Sequence, residues 1–118
     1  MRYAANFCEE NVWHLAQTRA GRPDVHAVFV TNRTQQVALW QQRAGDPVIW
    51  DYHVVLFDSG DVVDLDTAIE GGPTLPVSVW LKGTFRPAHE SLAPRFRLVG
   101  AEELLRTFAT DRSHMRGP

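Results

Sequence analysis

The order of apolar and polar residues divides this chain into short runs of two kinds. Residues 7–20 (FCEENVWHLAQTRA) contain neither Pro nor Gly and bring Cys8, Val12, Leu15 and Arg19 onto one face at helical spacing, before Gly21 and Pro23 stop the run. The spacing predicts a helix. Asn6 with Glu9 three residues later resembles a capping box in which Asn replaces Ser or Thr, and this puts Cys8 in the first turn. Residues 25–30 (VHAVFV) and 36–41 (QVALWQ) read as strands joined into a hairpin by the polar segment 31–34. The strongest strand signal is 48–57 (VIWDYHVVLF), followed by the turn Asp58-Ser59-Gly60-Asp61 and a strand from Val62 to about Asp66, a second hairpin. Residues 70–94 are rich in Pro and Gly and read as irregular, apart from a strand near Val77 to Leu81. Phe96 to Val99 reads as a last strand and Ala101 to Ala109 as a short helix.

One helix, then mainly antiparallel strands, then a helix predicts an α+β fold, because the strands do not alternate with helices. At 118 residues the chain is expected to form a single domain over 1–118. The net charge of −2 is spread along the sequence with no block of like charge, so nucleic acid is not an expected partner. No run approaches the ~18 apolar residues of a membrane span, and the start lacks a basic-then-apolar leader, so a cytoplasmic monomer away from membranes is expected.

The chain has one cysteine, Cys8, which excludes an internal disulfide and suits a reducing compartment. A lone cysteine is most often a small buried core residue. At the start of a helix, however, unpaired N–H groups and the macrodipole favour its thiolate. Glu9 and Glu10 oppose that effect, so activation requires a cation such as an imidazolium. Of the five histidines, His53 stands out because it lies in the apolar centre of the strongest strand, where a titratable ring needs a partner. With the turn centred between Ser59 and Gly60, His53 lies opposite Asp66 and diagonal to Asp64, all on one face. This register does not choose between the two aspartates and favours Asp66 as the direct neighbour. No metal is expected, since there is one Cys and the histidines lack ligand spacing.

Four blocks, CEENVW at 8–13, PVIWDYHVVL at 47–56, VDLDT at 63–67 and FATDRSHM at 108–115, resemble in order the signature blocks of the protein N-terminal glutamine amidohydrolases. Fainter similarity in AVFVTN at 27–32 and in RFRLVGAEELL near residue 97 extends the resemblance over nearly the whole chain. It implies a papain-like or transglutaminase-like cysteine hydrolase, with the Cys-bearing N-terminal helix packed on a mainly antiparallel sheet. It also implies a triad of Cys8, His53 and Asp64, with Asp66 in a supporting role. The implied reaction deamidates an N-terminal glutamine of a protein or peptide to glutamate through a thioester, without a cofactor. The same triad chemistry also serves other glutamine deamidases and thiol hydrolases, and a relic site could merely bind amino termini. Glu9, Asp51 and Asp111 are candidates for holding the substrate α-ammonium, and Trp50 for walling the glutamine side chain. Longer members continue past the RSHM block with an aromatic-rich region, so the sequence is expected to be either a short form without it or a truncated piece of a longer chain.

Overall fold

The structure is a computed structural model that describes residues 5–19, 22, 24–103 and 106, with side chains from Glu10 onward. Helix α1 spans Ala5–Gln17 and is followed by strands β1 (Val25–Thr31), β2 (Val37–Leu39), β3 (Val48–Trp50), β4 (His53–Asp58), β5 (Asp61–Val63) and β6 (Thr74–Pro76). Helix α2 (Val77–Thr84), a 3₁₀ turn at Glu90–Leu92 and strand β7 (Arg95–Gly100) complete the order. A five-stranded antiparallel sheet runs β6-β5-β4-β1-β7, and β2 and β3 form a separate two-stranded ribbon. This is an α+β architecture with a mainly antiparallel sheet.

Several sequence expectations change here for identifiable reasons. The helix expected over 7–20 begins by Ala5 and ends at Gln17, so Asn6 lies inside its span instead of capping it. The run 48–57 is two strands, because Asp51 and Tyr52 break it: β3 pairs with β2, while β4 crosses into the main sheet. The expected hairpin of 25–30 with 36–41 is absent, since β1 pairs with β4 and β7 instead. Residues 77–81 are helical despite their β-branched content. Pro76 precedes the helix with φ −54°, and the i,i+4 pair Trp80 and Thr84 buries one face, so packing overrides propensity. In the C-terminal run, residues 101–103 and 106 are helical, and the other residues of the expected 101–109 helix lie outside the described residues.

The β4–β5 hairpin follows the expected turn. Ser59 (φ 54°) and Gly60 (φ 95°) both occupy the left-handed region, as a two-residue turn that matches strand twist requires. Pairing of Leu56 with Val63 and Asp58 with Asp61 fixes the register. Period-two alternation then separates two apolar layers. One packs α1, through Val12 and Ala16, against Ala27, Val54 and Leu56. The other gathers Val30, Val55, Val62, Trp50 and Trp80 on the opposite face. Leu56 is fully buried on a strand paired on both sides. Leu56→Ala is therefore expected to cost about 2–5 kcal/mol, read as a lower urea midpoint with an unchanged slope.

Helix α1 is tied to the sheet at its trailing end. Arg19 Nε lies 2.9 Å and Arg22 3.2 Å from the Asp58 carboxylate at the end of β4. Burial pushes the Asp58 carboxyl up, but the Arg19 hydrogen bond and the two guanidinium charges leave it below the usual range.

Candidate active site

His53 is the first residue of β4 and pairs across the sheet with Val30, on the face opposite α1. Its side chain is almost fully buried, at 1% exposure, and its ring stacks on Trp50 at 5.2 Å with an 18° interplanar angle. Asp64 follows β5 directly. Its backbone N–H donates to the Pro73 carbonyl at 2.9 Å, extending the pairing with β6 while leaving β4. A turn closed by Thr67 N–H on the Asp64 carbonyl then reverses the chain. The carboxylate, also 1% exposed, faces His53, with Oδ1 3.0 Å from Nε2.

Three further donors converge on the Asp64 carboxylate. The Trp80 indole N–H reaches Oδ2 at 3.0 Å, the Gln42 amide reaches the same oxygen at 3.3 Å, and the Asp66 backbone N–H reaches Oδ1 at 3.0 Å. Burial pushes the Asp64 carboxyl up, but the His53 charge and hydrogen bond, with the Trp80 and Asp66 donors, outweigh it and hold the group below the usual carboxylate range. An ionised carboxylate only accepts, so the hydrogen lies on His53 Nε2 and donates to Asp64.

Asp66 is also buried, yet it does not meet the imidazole. Continuing the hairpin register puts Asp66 opposite His53, but β5 ends at Val63 and the turn swings Asp66 toward the 42–45 loop. There it takes the Ala44 N–H at 3.4 Å, while Oδ1 has no hydrogen-bond partner among the described residues. Burial and the Asp64 charge push the Asp66 carboxyl up, against the Ala44 N–H and the charges of His53 and Arg43.

The remaining sequence candidates separate. Trp50 lies against the His53 ring. Asp51 is exposed, and its carboxylate accepts the Tyr52 N–H at 3.0 Å. Positions 8 and 9 fall within the Ala5–Gln17 span, and the side chains of Cys8 and Glu9 lie outside the described residues. Asp111 lies outside them altogether, as does the 108–115 block. Sequence reading did not single out Trp80 or Gln42. Nothing in the local pattern marks them, since their contacts with Asp64 join segments far apart in the chain. Among the described residues no group of three His, Cys, Asp or Glu side chains is placed to hold a metal ion, and no helix is long and apolar enough to cross a membrane.

The sequence matches the family model for N-terminal glutamine amidase over residues 3–118. It is 36% identical over 130 residues to the protein N-terminal glutamine amidohydrolase of Homo sapiens, covering 97% of this chain and 62% of the relative. The Bos taurus protein of that name is 35% identical with the same coverage, and that of Drosophila erecta is 39% identical over 140 residues, covering 98% of this chain and 64% of its own. The chain thus spans a little under two thirds of the length of these relatives. With a match along nearly all of its length, and with a buried His53–Asp64 pair inside two of the blocks that carry the likeness, the chain belongs to the N-terminal glutamine amidase family.

Proposed function

We propose that this protein hydrolyses the side-chain amide of an N-terminal glutamine in proteins or peptides, giving glutamate and ammonia, with Cys8 as nucleophile, His53 as base and Asp64 as the orienting acid. The observation that carries the reading is the His53–Asp64 pair, buried at 3.0 Å inside a chain of this family. A lone histidine–carboxylate contact can be purely structural. This one has Asp64 held ionised and the imidazole fixed in one tautomer, the arrangement that a proton-transferring histidine needs.

The position of α1 supports the third member. The Arg19–Asp58 ion pair sets the trailing end of the helix beside the far end of β4. Cys8 lies roughly 14 Å back along the helix from Gln17, the last helical residue. His53 lies roughly 17 Å back along the strand from Asp58. Laid along β4, a helix of this length would bring its leading end near the first residue of that strand. Because the ring hangs on the face opposite α1, sulfur and imidazole would meet around the strand end and not through the sheet. A Cys-bearing helix laid on an antiparallel sheet would be the papain-like or transglutaminase-like arrangement that the family resemblance implies.

In the reaction the Cys8 S–H proton passes to His53, and the thiolate attacks the carboxamide carbon of glutamine. The tetrahedral oxyanion takes backbone N–H donors, among which the Cys8 N–H at the helix start is one candidate. Collapse breaks the C–N bond and ammonia departs with the proton from His53. Water, deprotonated by His53, then hydrolyses the glutamyl thioester and restores the thiol. Trp50 holds the imidazole plane from one side. Glu9, Asp51 and Asp111 are the carboxylates proposed for the substrate α-ammonium, and Asp51 is two residues from the base.

The experiment is ammonia release from a Gln-initiated peptide and from its N-acetylated counterpart. Acetylation is expected to reduce kcat/KM by at least about a hundredfold, because it removes the charge that the site must pair. Equal rates on both peptides would make the protein a general glutamine deamidase or thiol hydrolase, and no release from either would leave a domain that binds without turnover.

A further inference from the structure

Resting on the assignment of Asp64 as the triad acid, we infer that Trp80, assisted by Gln42, is a positioning residue that clamps the outer oxygen of Asp64 and thereby aims the inner one at His53. A carboxylate on a turn immediately after a strand can rotate about two side-chain torsions, and the His53 bond engages only Oδ1. The Asp66 N–H also bonds Oδ1, but from the same turn, so a hold on Oδ2 from outside that turn is what fixes the rotation and keeps Oδ1 on Nε2. The Trp80 indole N–H does this at 3.0 Å and the Gln42 amide at 3.3 Å, from two segments with no sequence proximity to the turn.

Trp80 is well built for the task. It is 2% exposed on the inner face of α2, and Phe85 and Phe96 meet its ring edge-on or tilted at 5.2 and 6.5 Å. The indole cannot swing away without opening that aromatic cluster. Indole N–H is a donor only, so its bond to Oδ2 has one polarity and favours the carboxylate in its charged form. Gln42 is equally enclosed, at 3% exposure, and its backbone bridges to Gly45 and Thr67. The clamp therefore comes from the α2 layer on one side and the 42–45 loop on the other.

The test is a double-mutant cycle on the full chain. Trp80→Phe keeps a large ring and removes the N–H. It is expected to lower kcat on a Gln-initiated peptide about tenfold, the loss of one hydrogen bond to a buried charge, with KM changed less than about twofold. In an Asp64→Asn background the same change is expected to alter kcat by less than about twofold, since there is no longer a carboxylate to aim. Alkylation of Cys8 by iodoacetamide is expected to follow the same cycle, slowed by Trp80→Phe in the parent and not in Asp64→Asn. A tenfold loss that persists in full in the Asp64→Asn background, or an unchanged kcat in the single variant, would overturn the inference. If Trp80→Phe does not fold, as judged by its melting transition, Gln42→Met carries the cycle, with a smaller loss in the parent and none in Asp64→Asn. Should the parent release no ammonia, the amidase reading fails by itself, while the alkylation cycle still decides whether the clamp acts on the pair.

Discussion

Replacing Cys8 by Ala is expected to reduce ammonia release from a Gln-initiated peptide on the order of 10⁴–10⁶-fold, the loss seen when a triad nucleophile is removed. The chain contains no other cysteine that could substitute, so the background is that of the remaining donors and dipoles alone. Iodoacetamide gives an independent reading. It should modify the parent at one site, with activity falling in proportion to modification, and it should leave Cys8→Ala unmodified. The fold should hold, because the substitution removes a single sulfur. A Cys8→Ala protein that keeps more than about a hundredth of the parent kcat, measured with a coupled ammonia assay, would exclude the thioester route.

Asp64→Asn is expected to lower kcat on the order of 10³–10⁴-fold with little change in KM, whereas Asp66→Asn should cost less than about tenfold. The asymmetry follows from geometry: Asp64 meets His53 Nε2 at 3.0 Å, while the Asp66 carboxylate takes the Ala44 N–H of the 42–45 loop at 3.4 Å. An Asn at position 64 offers an amide that favours the wrong imidazole tautomer. Stability should separate the two as well. Asp64 sits below the ordinary carboxylate range in the folded state, so its contribution is present above the unfolded value near 3.8 and is lost as pH falls through the folded value. Asp66 is raised, so the folded state takes up a proton first and its contribution has the opposite slope: stability is lost as pH rises from the unfolded value through the folded one. Asp64→Asn should therefore flatten the acid limb of a pH-dependent urea titration, and Asp66→Asn should raise stability near neutral pH by removing an unsatisfied buried charge. A larger kinetic loss for Asp66→Asn than for Asp64→Asn would reverse the assignment of the acid.

The α+β class, the N-terminal helix, the register of the β4–β5 hairpin and the need of His53 for a buried partner were legible because each rests on local pattern or on a two-residue turn. Local pattern favoured Asp66 as the partner of His53, because nothing local announces that β5 stops at Val63. There the Asp64 N–H bonds the carbonyl of Pro73, just ahead of β6, while the chain leaves β4. Only the family resemblance pointed to Asp64. The break at Asp51–Tyr52 is similar: a β-rich run without Pro or Gly hid the fact that its two halves pair with different sheets. The helix at Val77–Thr84 was misread because its β-branched residues outweighed the burial of Trp80 and Thr84, which only the finished core reveals. Trp80 and Gln42 were missed for the same reason.

The strand that carries the imidazole is bonded to β1 along its whole length and to β5 over Leu56–Asp58. Backbone amides in such a doubly tethered segment exchange with solvent mainly when the whole sheet opens. His53 sits at the end of that strand that pairs with β1 but not with β5, so its release requires the β1–β4 ladder to open, and thermal inactivation and unfolding of the sheet should share one barrier. Loss of activity on storage would then serve as a clock for the unfolding rate of the sheet.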